Sequence, residues 1–120
     1  MDYHSEAGTN LIEKWYLSQS AGVQADFDRT LKDLSIAPDW HGMKEFKSLG
    51  RKGLCEIRFK TKGVQYRPLG TFGPEEQTFT IWVGCFKKMQ IYDPPNAIDL
   101  AFDRISLYRQ KRGTLRERII

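Results

Sequence analysis

Two arginines raise the first chemical question. The run EIRFKTKGVQYRPLG, residues 56–70, reads as two alternating stretches around Lys62-Gly63. A two-residue Lys-Gly turn pairs Thr61 with Val64, and the ladder continues through Lys60 with Gln65, Phe59 with Tyr66 and Arg58 with Arg67. A four-residue loop keeps these pairs, whereas a three-residue loop shifts them. Like charges opposite one another on a sheet are destabilising, so the arginine pair is tolerated more easily with an anion between the guanidiniums. Further on, WVGCFKKMQIYDPP puts Lys87 and Lys88 where an antiparallel third strand leaves the sheet. Arg58, Arg67 and one of these lysines on a single open face would suit phosphate: guanidinium supplies planar bidentate donors and lysine adds a point charge.

Placing those cations together requires a sheet and something for it to rest on. Three strands are predicted at about 54–61, 64–72 and 78–87, rich in β-branched and aromatic residues and punctuated by glycine or proline. GPEE at 73–76 is a turn signal. Pro68 has no N–H for a ladder, so a bulge or bend is expected there. Ahead of the strands, Asn10 is a candidate N-cap with Glu13 three residues on, opening a helix that buries Leu11, Ile12, Trp15 and Tyr16. Gly22 breaks that run, and a second helix follows with Val23, Phe27, Leu31 and Leu34 at helical spacing. Pro38 stops it, and residues 35–53 read as a loop. A last helix, capped by Asp93 or Asn96 with Pro94 or Pro95 in its first turn, carries Ile98, Ala101, Phe102, Ile105 and Tyr108 and ends at Gly113. The tail TLRERII has no clear element, and residues 1–6 offer at most a short strand. The order predicts an α+β fold of one domain, residues 1–120: a small antiparallel sheet with helices on one face and the other face open. Cys55, Ile57 and Phe59 would face the core, and Glu56, Arg58, Lys60, Arg67 and Leu69 the open side.

The 120 residues allow one real core, and fifteen aromatics give it bulk. Net charge is +4, unevenly spread: residues 1–40 hold seven acids and three bases, residues 41–120 sixteen bases and eight acids. A basic second half argues for a polyanionic partner, against the plainer reading of a solvated basic face. Cys55 and Cys85 match no metal or redox spacing and read as small core residues. His41 lies in the long loop and His4 in the terminal segment, so neither makes a good catalyst or ligand. Asp99 and Asp103 share a helix face and Asp93 does not, which reads as solvated surface rather than a metal site. No metal and no cofactor are therefore expected. No run is long enough to span a membrane, and the acidic start MDYHSEAG lacks a signal-peptide pattern, so the expectation is a cytoplasmic chain with no membrane partner.

Taken in order, LCEIRF, YRPLG, CFKKM and NAIDLAFDRISLYRQ resemble the RelE/ParE superfamily of toxins, most closely its phage-associated, HigB-like branch. The resemblance runs from about Leu11 to Arg109. It rests on the order and spacing of short motifs: an (E)LR strand, a YR strand, an F-x-KK strand end and a final helix with Ile, Ala and Arg. It implies a RelE-like fold and the toxin of a type II toxin–antitoxin system. Such a toxin would be a ribosome-dependent, metal-independent mRNA endonuclease, with mRNA on the ribosome and a cognate helix-turn-helix antitoxin as partners. The residues it marks are Arg58, Arg67, Lys87 and Lys88. The chain departs from the family pattern at Cys85, where phenylalanine is usual, and after the lysines, where Met89 and IYDPP replace a threonine and a basic or proline-containing run.

That chemistry needs a group to take the 2′-OH proton, a group to stabilise the phosphorane and a group to protonate the leaving 5′-oxygen. Arg58 and Arg67 suit the second role. Lys87 or Lys88 suits the first or third if neighbouring cations depress its pKa. Tyr92 would stack on a base or donate a proton, unless it only packs in its loop. Glu56 is either a base or a carboxylate paired with a nearby arginine. Two other readings stand beside the nuclease. One is a non-catalytic relative that inhibits a protein target, as ParE toxins do with gyrase, or a phage regulator. The other is a nucleic-acid-binding sheet, which needs exposed aromatics such as Trp82 or Phe86 on the open face.

Overall fold

The computed structural model describes residues 1–75 and 77–120. In chain order it contains β1 (Asp2–His4), α1 (Leu11–Leu17), α2 (Ala21–Ile36), β2 (Phe46–Arg51), β3 (Leu54–Ile57), β4 (Phe59–Thr61), β5 (Val64–Tyr66), β6 (Leu69–Phe72), β7 (Phe79–Val83), β8 (Phe86–Lys88), β9 (Ile91–Asp93), α3 (Ala97–Arg109) and β10 (Thr114–Arg116). The α+β class is as expected, but the sheet is larger than predicted. Strands β10-β1-β7-β6-β3-β2 form one sheet and β4-β5-β8-β9 a second. Pairing is antiparallel except where β1 runs parallel to β7.

Each of the three predicted strands is divided in two, and the divisions line up as one seam. Arg58 separates β3 from β4, Arg67-Pro68 separates β5 from β6, and Gly84-Cys85 separates β7 from β8. Pro68 supplies the physical cause expected of it, since it cannot continue the ladder, and a register irregularity follows at Leu69/Gly70. The seam is nonetheless bonded. The Ile57 amide donates to Pro68 O and the Arg67 amide to Cys85 O, both at 2.9 Å, while the Arg58 amide turns away to Glu45 O at 2.8 Å. The turn at Lys62-Gly63 has positive φ at both residues, as a two-residue hairpin requires, and pairs Thr61 with Val64. Lys52-Gly53 and Met89-Gln90 make two further hairpins of the same kind. These add β2 and β9, which lie in segments read from sequence as loop. Glu76, the last residue of the expected GPEE turn, lies outside the described residues.

Asn10 caps α1 as predicted, its Oδ1 accepting from the Ile12 and Glu13 amides at 3.0 and 2.9 Å. Glu13, three residues on, does not bond back to the cap; its Oε1 accepts from Arg118 Nη2 at 3.3 Å. The break between helices falls at residues 18–20, where Ser20 caps α2, and Gly22 lies inside the first turn rather than at the break. No side chain caps α3, and Asp93 belongs to β9. The basic tail is ordered: β10 pairs with β1, and Arg118 donates to Asp2 Oδ2 at 2.7 Å while lying over the Tyr16 ring.

Both faces of the six-stranded sheet are covered, which corrects the expectation of one open face. Helices α1 and α2 bury Ile12, Val23, Phe27, Leu31 and Leu34 against Phe46, Cys55, Ile57 and Phe59. Opposite them, α3 brings Ala97 and Ala101 onto Leu54, Leu69, Trp82, Val83 and Cys85. Two alanines at this spacing let the helix backbone approach closely, and its larger residues Ile98, Phe102, Ile105 and Tyr108 stay partly exposed around the contact. Trp82, buried at 1% exposure with its indole N–H on Thr71, is no stacking platform, and Phe86 packs on Tyr66.

Candidate active site at the seam

The two ladders flanking the seam share one register, so Arg58 and Arg67 come opposite each other as the hairpin arithmetic predicts, although the ladder itself is interrupted there. Their surroundings differ from the expected open face. Arg67 is only 4% exposed, and its Nη1 donates to the carbonyls of Phe59 and Tyr66 at 3.3 and 2.8 Å. Arg58 is partly exposed. The anion between them is the chain's own: Glu56 Oε1 lies 3.4 Å from Arg58 Nε and 4.0 Å from Arg67 Nε. Among the described residues neither Nε has a hydrogen bond of good geometry, so each guanidinium is held by charge on its inner edge. Glu56 is itself 1% exposed. A buried carboxylate requires such compensation, since unpaired burial of its charge is strongly unfavourable.

Tyr92 completes the cluster. It sits in a strand, not a loop, and its hydroxyl donates to Glu56 Oε2 at 2.5 Å. Cross-strand pairing puts Lys87 beside it, with Nζ 4.8 Å from the ring centroid. Alternation sends Lys88 to the opposite side of the second sheet, where it is exposed, so the structure brings Lys87 to the cluster and leaves Lys88 out. Burial raises the Tyr92 pKa, with the hydrogen bond to Glu56 and that carboxylate's charge adding to the effect; the phenol therefore keeps its proton at neutral pH. Burial also lowers the Arg67 pKa, helped by Arg58 and opposed by Glu56. At Cys85 burial pushes the thiol far up, so it serves as a packing residue whose Sγ sits 3.0 Å from Arg67 O.

Beside the cluster lies a pocket of about 440 Å³ lined by Arg29, Lys44, Arg58, Lys60 and Arg67 together with Thr30, Asp33, Glu45 and Phe59. Five cations face two carboxylates in the lining; Arg29 also pairs with Asp26 at 2.6 Å and Glu56 lies behind Arg58 and Arg67, and the remaining excess of positive charge favours an anion. Arg29 and Lys44 were invisible as site residues in the sequence. Arg29 belongs to the acidic half, and it reaches the pocket only because α2 lies across β4, where Thr61 Oγ1 donates to Asp26 Oδ2 at 2.7 Å. His41 is exposed and bonded to Asp39, outside this pocket, and His4 lies in β1. Among the described residues no three His, Cys, Asp or Glu side chains come together as a metal site. No helix among them is long and apolar enough to cross a membrane.

Residues 14–106 match the family described as Phage derived protein Gp49-like (DUF891), and the matched span contains α2, the seam, Glu56, Arg58, Arg67, Lys87 and Tyr92. The chain belongs to the phage-derived Gp49-like family. That family is related in general to RelE/HigB-like toxins, so the toxin kinship expected from the motifs holds at this coarser level. No curated protein and no solved structure matches the chain. The Gp49-like match extends well into α3, whose Arg104 donates to Trp82 O at 2.7 Å and thereby fastens the helix to β7.

Proposed function

We propose that this Gp49-like protein is the toxin of a type II toxin–antitoxin system and acts in the cytoplasm as a ribosome-dependent, metal-independent mRNA endonuclease. The observation that carries this reading is that Arg58 and Arg67 line one cationic pocket while their shared partner Glu56 ties them to Tyr92, over whose ring Lys87 lies. In this reading, the outer nitrogens of Arg58 grip the scissile phosphate and stabilise the phosphorane, with Arg67 fixed behind it. The 2′-oxygen attacks phosphorus as its proton passes to solvent water, the bond to the 5′-oxygen breaks, and the Lys87 ammonium protonates the departing oxygen and is reprotonated from solvent. Tyr92 presents its ring to a base or to Lys87. The phenol keeps its proton at neutral pH and the Glu56 carboxylate is buried and engaged, so neither stands free as the base. Orientation by the ribosome would supply what the side chains lack, since alignment for in-line attack is worth about 7–11 kcal/mol in favourable cases. A helix-turn-helix antitoxin is the proposed partner.

Induction of the wild-type protein in bacteria is expected to stop growth and translation, and Arg58→Ala to relieve the arrest while the variant accumulates to the same level. Normal growth with abundant soluble wild type would overturn the toxin reading. One observation favours a second reading, a non-catalytic relative acting on a protein such as gyrase: Arg67 is spent on backbone carbonyls and the Tyr92 proton on Glu56. Growth arrest with intact mRNA and inhibited gyrase would identify that case.

A further inference from the structure

The Glu56 carboxylate is the feature of the site that the proposed reaction does not use. It occupies the place an anion should take between Arg58 and Arg67, it is buried, and its second oxygen holds the Tyr92 hydroxyl. A negative charge there lowers the positive potential that a substrate phosphate meets in the pocket. The same carboxylate fixes the inner edges of both guanidiniums and the direction of the phenol. We propose that Glu56 is a positioning residue that weakens phosphate binding and, in exchange, orients Arg58 and Tyr92 for turnover. This rests on the nuclease reading for its second half only; the effect on binding stands on geometry and charge alone.

The geometry explains why one residue does both. Arg58 Nε and Arg67 Nε are buried and lack well-formed hydrogen bonds, so the carboxylate acts on them by charge and not by a bidentate clasp. Arg58 therefore keeps its outer nitrogens for the pocket it lines. Tyr92 is bound tightly to the other oxygen, and Lys87 rests over its ring, so the tyrosine links the buried carboxylate to the lysine nearest the cluster. Replacing the carboxylate by an amide keeps the shape and a hydrogen-bond acceptor for Tyr92 but removes the charge.

The test uses Glu56→Gln with two measurements. The first is binding of a short 2′-O-methylated RNA, which cannot be cut by its own 2′-oxygen. The expected result is binding about fivefold tighter than wild type, from the loss of one opposing charge beside the phosphate site. The second is the rate of cleavage of a translated mRNA over a range of protein concentrations, where the maximal rate is expected to fall about tenfold or more while the half-saturating concentration drops. Unchanged or weaker RNA binding by a folded Glu56→Gln would overturn the proposal, as would tighter binding with an undiminished rate. Should Glu56→Gln fail to fold, Tyr92→Phe takes its place: it keeps the charge and removes the hydrogen bond. Slower cleavage with unchanged oligonucleotide affinity supports the orienting role, and an unchanged rate overturns it. If wild type cuts no translated mRNA, the nuclease reading falls. The oligonucleotide measurement then still decides whether Glu56 restrains phosphate binding.

Discussion

Arg58 and Arg67 were equivalent in the sequence, each one motif arginine on one alternating run, and the structure separates them. Arg67 holds two carbonyls and faces a buried carboxylate, so Arg67→Ala leaves acceptors and a charge unpaired; a loss of about 2–4 kcal/mol in denaturant unfolding is expected. Arg58→Ala should cost less, about 1–2 kcal/mol, because its partly exposed side chain holds no backbone carbonyl and Arg67 still faces Glu56 when it is gone. That difference makes Arg58 the cleaner probe of function. Tyr92 offers a second residue-scale check. Its folded pKa lies above the ordinary 10.0, so the folded protein retains a proton that the unfolded chain releases as pH rises past that value. The stabilising contribution is present below about pH 10 and is lost above it. Wild type should therefore lose stability more steeply with alkalinity than Tyr92→Phe, by up to about 1.4 kcal/mol per pH unit. Parallel pH–stability curves above pH 10 would contradict this account of the phenol. The pairing of Glu56 with arginine was among the readings open in the sequence, but its grip on Tyr92 was not, since thirty-six residues separate them.

At the scale of elements, the hairpin around Lys62-Gly63 was legible because glycine marks the turn and the flanking residues alternate. The hairpin at Met89-Gln90 carries no glycine, both residues adopting positive φ without one, so β9 and the strand setting of Tyr92 were hidden. The seam was half legible. Pro68 announced a bend, but the apolar alternation through Cys55, Ile57 and Phe59 continues across it unbroken, because the bend changes the sheet and not the phase. The open face was misjudged because the apolar stripe of α3 does not say which side of the sheet it covers, and it lands opposite α1 and α2. Close packing between elements also sets a test. A Cβ at Gly70 would sit 2.4 Å from Thr80 O and from the Phe79 ring, with backbone on one side of the clash. Gly70→Ala is expected to destabilise the six-stranded sheet by about 1–3 kcal/mol in thermal or denaturant unfolding. A neutral effect would mean that β6 and β7 do not approach as described.

Over the whole molecule, the charge asymmetry of the sequence pointed to an anionic partner, and the fold gathers five cations around one pocket. Arg29 comes from the acidic half, so the asymmetry located the property without locating all of its residues. The central claim is that this pocket cuts mRNA on the ribosome by attack of the 2′-oxygen. It is tested most directly by mapping the ends of an mRNA in a reconstituted translation reaction with wild type and Arg58→Ala, beside the same RNA without ribosomes. The account predicts cuts only in the translated RNA, upstream fragments ending in a 2′,3′-cyclic phosphate, and a loss of about a hundredfold or more in rate with Arg58→Ala. Fragments ending in a 3′-hydroxyl, or equal cutting by Arg58→Ala, would contradict it.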